Sequence, residues 1–358
     1  LFDLSRRKAD AIGHGGTRYD ALLDEYEPGM TSAALTAVFA ELRKGLVPIV
    51  EAIRGSSRRP DTKALAGTYP AASQEAFCRR IAADIGFDFE AGRLDRSAHP
   101  FCTGFAPEDV RITTRYDEKD FRGALFGVIH EAGHAMYEQG LDPALATTPA
   151  GLARSLGVHE SQSRLWENQV GRSRPFWKRW YPELAKAFPD PFSRVDPETF
   201  HFAINEVRPS LIRVEADEVT YNLHVILRFD IERDLVAGTL PVKDLPALWN
   251  ERMSKDLGVR PKTDAEGVLQ DIHWSIGLIG YFPTYTLGTL FSAQLYAKAR
   301  KDVPGLEEGF AEGRFAPLLG WLRERIHRPA SRYPTEELVQ RAVGEKIAPA
   351  TFLTYIRE

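Results

Sequence analysis

Cysteine is scarce in this sequence, and its scarcity excludes a protein held together by a disulfide framework. Only Cys78 and Cys102 occur among 358 residues. At most one bridge can form, whereas small secreted domains use several. We therefore expect two free thiols and a fold that is stabilised by an ordinary hydrophobic core.

Long apolar runs and an excess of charge of one sign are also missing. No apolar run approaches the roughly 20 residues that a membrane-spanning helix needs. Residues 1–8 lack the apolar stretch of a signal peptide. Lys+Arg number 46 and Asp+Glu number 50, a net charge of −4, so the basic surface of a nucleic-acid-binding protein is not expected. We predict neither a membrane nor a nucleic-acid partner.

Helical periodicity dominates what is present. Hydrophobic residues make up 43% and aromatic residues 11% of the chain, which is enough for a large core. Apolar residues recur at helical spacing in five segments: 31–54, 121–139, a segment from about Ser155, 210–237 and 287–300. Residues 110–116 alternate as in a strand, and 64–69 and 87–89 are weaker strand candidates. The proline-rich segment 181–200 predicts a loop-rich connector, so we expect one mainly α domain with a small sheet.

The sharpest motif is His130-Glu131-Ala132-Gly133-His134, an H-E-x-x-H pattern. On a helix, residues four apart share a face, so the two imidazoles can converge on one tetrahedral zinc ion. Glu131 lies about 100° around the helix, beside the metal, where a carboxylate can accept a proton from water. The competing interpretation is a core helix with two hydrogen-bonded histidines.

A catalytic zinc site needs a third protein ligand and an open position for water. A third histidine in an H-E-x-x-H-x-x-G-x-x-H pattern is excluded, because Tyr137 occupies the glycine position and Gly140 the histidine position. Glu160 follows His134 by 26 residues, after a segment that can turn the chain, and is the predicted third ligand. The rival third ligands are His159, Glu167 and Glu218, and His159 is also a candidate for lining the cleft.

These ligands predict a reaction class. Zinc lowers the pKa of a water molecule to about 7, Glu131 accepts its proton, and the activated water attacks a carbonyl carbon that the metal polarises. A Tyr or His donor would stabilise the oxyanion, and Glu131 would pass its proton to the departing amine. The predicted reaction is amide hydrolysis, and peptides are the predicted substrates.

Five motifs together resemble those of the carboxypeptidase Taq family of zinc metallocarboxypeptidases. The segments 109–113, 130–134 and 159–162 are similar to its D-x-R-x-T, H-E-x-x-H and H-E-S-Q motifs. The segments 212–217 and 267–274 are similar to its I-R-x-x-A-D and G-x-x-Q-D-x-H-W motifs. Looser similarity extends from about Tyr19 to the C-terminus.

The resemblance implies a mainly α-helical metallopeptidase with a deep active-site groove and a small β-sheet at its edge. It implies release of single residues from peptide C-termini, zinc as the cofactor with cobalt or manganese as substitutes, a homodimer and a cytoplasmic location. Family members usually have about 500 residues. We therefore expect residues 1–358 to form a single mostly helical catalytic domain that lacks the family's N-terminal helical part.

An enzyme that acts at C-termini needs a cation for the terminal carboxylate, and the planar fork of arginine suits it best. Arg213 is the first candidate and Arg111 the second. The alternative for Arg213 is an ion pair with Asp217 within one helix, and for Arg111 a charge on a strand surface. A further hypothesis is that the strand around Arg111 pairs with the substrate backbone.

Residues 273–288 contain the candidates for oxyanion stabilisation and substrate contact. His273 and Tyr281 are the candidate catalytic donors, and Tyr285 is a candidate substrate contact. The glycines and proline around them predict a shaped loop. Either Asp271 or Asp217 is predicted to orient a zinc-binding histidine.

Two other functions compete with a carboxypeptidase. A helical zinc endopeptidase or oligopeptidase would use the same two histidines and one glutamate, and it would cleave a peptide whose C-terminus is amidated. A helical scaffold with a vestigial metal site would hydrolyse nothing, with or without Glu131.

Overall fold

The structure is a computed structural model that describes residues 1–13 and 15–358. Helices make up most of the described chain. In chain order they are α1 (Phe2–Ile12), α2 (Arg18–Leu23), α3 (Ser32–Gly55), α4 (Ala71–Ile85), α5 (Phe121–Gln139), α6 (Leu156–Arg164), α7 (Arg174–Ala187), α8 (Pro189–Phe192), α9 (Pro197–Ile204), α10 (Tyr221–Ala237), α11 (Leu245–Leu257), α12 (Pro283–Asp302), α13 (Leu306–Ala311), α14 (Ala316–Leu322), α15 (Thr335–Val343) and α16 (Pro349–Arg357). Two π-helical segments, Leu165–Val170 and Arg323–His327, follow α6 and α14 directly.

A three-stranded sheet lies between α4 and α5 in the chain. Its strands are β1 (Gly92–Arg96), β2 (Cys102–Ala106) and β3 (Asp109–Thr114). The spatial order is β1-β3-β2, with β3 parallel to β1 and antiparallel to β2. Because β3 has a neighbour on both sides, the hypothesis that the strand of Arg111 pairs with a substrate backbone is wrong.

The main helix predictions are confirmed where a capping residue marks the helix end. Thr31 caps α3 by accepting a hydrogen bond from the backbone N–H of Ala34, and Pro48 is accommodated within that helix. Helix α5 ends at Gly140, as predicted. Ser155 caps α6 through the N–H of Val158. A side-chain oxygen that satisfies a free N–H is a local signal, which sequence reasoning can find.

Two predictions about the segments before α10 are wrong. The segment 181–200 is largely helical, because Pro189 and Pro197 each occupy a first-turn position, where the missing N–H costs nothing. The predicted helix 210–237 begins only at Tyr221. The carboxylate of Asp217 accepts hydrogen bonds from the N–H groups of Val219 and Thr220, and this turn directs the chain into α10.

Three smaller predictions are also corrected. Residues 64–69 are not a strand, because a 3-10 turn covers Thr62–Leu65, and 87–89 lie outside the sheet. The predicted loop around Tyr285 and Gly288 is the first part of α12. Cys78 and Cys102 are both free, as expected.

The hydrophobic core contains two large clusters, and both include residues of α12. Phe291 and Leu295 belong to the cluster around the sheet, α4, α5 and α7. Leu287 and Leu290 belong to the cluster around α3, α10 and α11. Helix α12 therefore joins the two clusters, and it packs closely against α6. Among the described helices, none has both the length and the apolar character required to cross a bilayer.

Candidate metal centre

Three side chains from α5 and α6 converge at one point. Nε2 of His134 lies 3.4 Å and Nε2 of His130 lies 3.7 Å from the same oxygen, Oε2 of Glu160. One ligand atom from each of the three residues lies within 4.8 Å of the others. Ligands 2.0–2.1 Å from a tetrahedral zinc ion would be about 3.3 Å apart, so the spacing fits a single divalent cation. Within residues 1–13 and 15–358 no other group of this kind occurs.

Two glycines allow α6 to approach its neighbours this closely. A Cβ atom on Gly133, within the H-E-x-x-H motif of α5, would lie 2.7 Å from Cα of Ser163. A Cβ atom on Gly288 in α12 would lie 2.5 Å from Cβ of Glu160. Helix α6 is thus held between α5 and α12 at two points where no side chain fits. This packing sets the distance between Glu160 and the histidines.

The second oxygen of Glu160 has its own partner. Nε of Arg164, one helical turn further on, lies 2.7 Å from Oε1. Ser163 also donates a hydrogen bond to Oε2, over 3.1 Å. Burial opposes ionisation of Glu160, but Arg164 and His130 hold its pKa below the ordinary range. The group therefore remains a carboxylate, which is the form that binds a cation.

In both His130 and His134, the ring nitrogen that faces away from Glu160, Nδ1, has a hydrogen-bond partner. Nδ1 of His130 lies 2.9 Å from Oε2 of Glu167. Nδ1 of His134 lies 2.6 Å from Nδ1 of His159, whose Nε2 lies 2.8 Å from Oε1 of Glu138. Both Nε2 atoms are left to face Glu160. Partners of this kind fix the orientation and tautomer of metal-binding histidines.

The protonation of these histidines also suits a cation. Burial lowers the pKa of His134 to about 3, so its imidazole is neutral. Burial also disfavours charge on His130, but Glu160 and Glu167 raise its pKa. The same two carboxylates would favour a divalent cation in place of that proton.

Glu131 lies on the same helix and is buried, with only 8% of its surface exposed. Burial is the main cause that raises its pKa to about 7, and Glu160 contributes, while His130 has the opposite effect. A carboxyl group that titrates near neutral pH can both accept and release a proton. The side chains of His130 and His134 are 18% and 16% exposed, so solvent reaches the site.

The aromatic candidates form one cluster near Glu160. The ring of Tyr281 lies 5.4 Å from that of Tyr285 and 5.2 Å from that of His273. Nε2 of His273 lies 3.0 Å from the hydroxyl of Tyr285. Burial raises the pKa of Tyr281, and the negative charge of Glu160 adds to the effect. The structure therefore brings His273, Tyr281 and Tyr285 to the side of the metal centre.

Arg213 has a different environment from the predicted one. It is buried and forms a bidentate ion pair with Asp271, while Nη1 donates to the hydroxyl of Tyr221 over 2.7 Å. The suggested pair with Asp217 within one helix is wrong, because residues 210–220 are not an α-helix. Arg228 shares the carboxylate of Asp271, so this cluster carries one positive charge in excess.

The remaining candidate residues have partners within the protein. Arg111 is half exposed, pairs with Asp109 and stacks 5.0 Å from the centre of the Phe105 ring. His159 uses both ring nitrogens within the protein, one towards His134 and the other towards Glu138, and its contact with substrate stays a prediction. Asp271 and Asp217 do not orient a metal-binding histidine. Asp271 pairs with two arginines, and Asp217 accepts hydrogen bonds from backbone N–H groups and from the hydroxyl of Thr220.

Sequence reasoning missed Glu138 and Arg164, and it considered Glu167 only as a rival third ligand, whereas Glu167 contacts Nδ1 of His130. Glu138 follows His134 by four residues, and Arg164 follows Glu160 by four. These spacings place Glu138 and Arg164 on the face of the corresponding ligand, and they are the signal that could have identified them.

Known proteins resemble this chain over most of its length. The model of the carboxypeptidase Taq (M32) metallopeptidase family matches residues 1–358. The thermostable carboxypeptidase 1 of Thermus thermophilus is 51% identical over 343 residues, which are 96% of this chain and 67% of that protein. The thermostable carboxypeptidase 1 of Pyrococcus furiosus is 45% identical over 360 residues, which are 100% of this chain and 72% of that protein.

A solved structure agrees as well. The M32 carboxypeptidase of Deinococcus radiodurans R1 superimposes with a TM-score of 0.97 at 45% identity, covering 99% of this chain and 72% of that one. A match of this extent and identity establishes more than a shared fold. The chain therefore belongs to the carboxypeptidase Taq (M32) family of metallopeptidases, as its motifs predicted.

Proposed function

We propose that this metallocarboxypeptidase binds one zinc ion through His130, His134 and Glu160 and releases single residues from the free C-termini of peptides. The observation that carries the proposal is the convergence of these three ligand atoms next to the buried carboxyl group of Glu131. Two imidazoles and one carboxylate favour zinc, although cobalt and manganese accept the same ligands.

Glu131 is the proposed proton acceptor and donor. When bound, the cation lowers the pKa of a water molecule and polarises the carbonyl group of the scissile bond. Glu131 lies beside the ligands on the same helix, and it accepts the proton of the attacking water. It then delivers this proton to the departing amine, and its pKa of about 7 suits both transfers.

Tyr281 is the proposed donor to the oxyanion, and His273 supports it. Burial lowers the pKa of His273 to about 4, so its ring is neutral and can orient the hydroxyl of Tyr285 through Nε2. Tyr281 packs against both rings and stays protonated. A positioned hydroxyl that donates to developing negative charge is worth about 3–4 kcal/mol in comparable sites.

The cluster of Arg213, Arg228 and Asp271 has a net positive charge, and this charge is proposed to attract the substrate carboxylate. The hydroxyl of Tyr221 bonds to Arg213, and its ring lies 4.2 Å below the guanidinium carbon of Arg164. Tyr221 therefore connects this cluster with the metal centre. Arg111 remains the second candidate.

The reaction is tested with a mixed set of peptides, zinc-loaded protein and mass spectrometry of the products. We expect ladders that shorten by one residue at a time from the C-terminus. Amidated versions of the same peptides should resist, and internal cleavage of them would indicate an endopeptidase. The variant Glu131→Gln should bind zinc but lose hydrolysis, whereas a scaffold would be inactive in both forms.

The family resemblance supports three further proposals: residues 1–358 act as one catalytic domain with a deep groove, the protein is a homodimer, and it is cytoplasmic. The sharing of α12 by both hydrophobic clusters supports the single domain. Sedimentation equilibrium tests the dimer, and fractionation of cells tests the location. Two separate unfolding transitions would contradict the single domain.

A further inference from the structure

The N-terminus of α6, the helix that carries Glu160, is held by a distant segment of the chain. An α-helix leaves its first N–H groups without partners inside the helix. Here the N–H of Leu156 donates to the carbonyl oxygen of Tyr26 over 3.1 Å, and the N–H of Gly157 donates to Oε2 of Glu27 over 3.0 Å. Only the third N–H, of Val158, has a local partner: it donates to the hydroxyl oxygen of Ser155, the residue directly before the helix.

Glu27 is enclosed where it meets α6. Only 1% of its surface is exposed, and a Cβ atom on residue 157 would lie 2.5 Å from its Oε2. Glycine at position 157 is therefore what allows the carboxyl group to reach the helix. A carboxylate at this end also interacts favourably with the helix dipole. Burial raises the pKa of Glu27 to about 7, while the hydroxyl of Ser155 and the N–H of Gly157 act to lower it.

The same short segment contacts the opposite side of the site. The ring of Tyr26 packs edge-on against that of Tyr281, 5.2 Å between centres. A Cβ atom on Gly280 would lie 2.9 Å from the backbone nitrogen of Leu23, so the backbones are in direct contact. Residues 23–27 thus bridge the ligand helix and the tyrosine proposed to act on the oxyanion.

We propose that Glu27 is a positioning residue for the metal centre: it fixes the start of α6 and thereby the distance of Glu160 from His130 and His134. This inference rests on the proposed function, since it assumes that Glu160 binds the metal. Glu27 touches neither the metal ligands nor the proposed substrate contacts.

The test measures zinc affinity of the metal-free protein by competition with a chelator. Glu27→Ala should weaken zinc binding about tenfold or more, the effect typical of losing a group that orients a ligand, and lower kcat more than it raises KM. Glu27→Gln keeps an oxygen for the N–H of Gly157, so it should restore most of the affinity. Unchanged zinc affinity in Glu27→Ala would overturn the proposal.

A cap on another helix provides the matched control. Asp196 accepts hydrogen bonds from the N–H groups of Glu198 and Thr199 at the start of α9, which carries no metal ligand. Asp196→Ala should lower the melting temperature and leave zinc affinity unchanged. If Asp196→Ala weakened zinc binding as much as Glu27→Ala, general destabilisation would be the cause, and the proposal would fail.

A double-mutant cycle with Gly157 gives a second test, of whether Glu27 acts through its contact with α6. Gly157→Ala alone should weaken zinc binding because its methyl group displaces the carboxyl group. In the Glu27→Ala background it should have a smaller effect, since the carboxyl group is gone and the nearest remaining atom, Cβ of Leu287, lies 3.3 Å from the added methyl group. Additive losses would contradict the proposal. Failure of the parent protein to bind zinc would instead contradict the proposed function.

Discussion

Arg164 and Glu160 form an ion pair in which Nε lies 2.7 Å from Oε1, on the side of the carboxylate that faces away from the histidines. The buried carboxylate is thus neutralised on one edge and presents the other edge to the proposed cation. Removing one partner of a buried pair leaves the other charge uncompensated. The proposed metal centre therefore depends on Arg164 as well as on its three ligands.

Arg164→Gln should weaken zinc binding by about tenfold or more, because Glu160 loses its fixed orientation and its pKa rises, so that a proton competes with the cation. Chelator competition measures the affinity. The exposed pair of Arg174 and Glu198 supplies the control, because exposed ion pairs contribute little to stability. Arg174→Gln should therefore leave the zinc affinity unchanged. Equal affinities for both variants would show that Arg164 has no such role.

Gly288→Ala should destabilise the protein by about 1–3 kcal/mol, as expected when a core is overpacked, and should also weaken zinc binding. The added methyl group would lie 2.5 Å from Cβ of Glu160. Urea unfolding and chelator competition measure the two effects. Gly123 in α5 has no atom within 4 Å of such a methyl group, so Gly123→Ala should instead stabilise by about 0.5–1 kcal/mol. Normal zinc binding by Gly288→Ala would refute the packing argument.

His159→Ala should weaken zinc binding and leave KM for peptides nearly unchanged, because His159 contacts His134 and Glu138. Glu138→Gln should produce a smaller effect in the same direction, and the two losses should not add. Steady-state kinetics at saturating zinc separates this role from substrate binding. A large rise in KM with normal zinc affinity would instead support the prediction that His159 contacts substrate.

Stability should fall as pH rises from about 5 to about 8. Glu232 is fully buried, and burial raises its pKa from 4.5 to about 7. The folded protein therefore binds a proton more tightly than the unfolded chain. The resulting stabilisation is fully present below pH 4.5 and is lost as pH rises through 7. Its size is on the order of 3 kcal/mol, from about 1.4 kcal/mol for each pKa unit.

Urea unfolding at several pH values measures this effect, and Glu232→Gln is the control. Glutamine cannot ionise, so the variant should lose the part of the pH dependence that Glu232 causes. The variant should also be less stable at low pH, because Tyr19, Trp274 and Gly280 all donate hydrogen bonds to the Glu232 side chain. An unchanged pH dependence in the variant would contradict the assignment.

The sequence was most informative where function and structure are local. The spacing of His130 and His134 on one helix predicted their common face, and the apolar spacing in 31–54 and 121–139 predicted two helices close to their observed bounds. Each of these features depends on residues within one or two turns. The family motifs then predicted the fold class, which the comparisons support.

Two of the failures concern contacts between segments far apart in the chain. Asp271 pairs with Arg213 and Arg228, and no local pattern indicates that pairing. Glu27 reaches Gly157 across 130 residues. These two tertiary contacts become visible only in the folded chain. One failure is local: periodicity extended α10 too far towards its N-terminus, because an apolar pattern does not show the hydrogen bonds of Asp217 to Val219 and Thr220.

X-ray absorption at the zinc edge of the zinc-loaded protein tests the central claim most directly. We expect one zinc per chain, bound by two imidazole nitrogens and one carboxylate at 2.0–2.2 Å. In His130→Ala the imidazole signal should be lost, and the protein should no longer bind one zinc per chain. Zinc bound without imidazole, or an unchanged spectrum in that variant, would contradict the account.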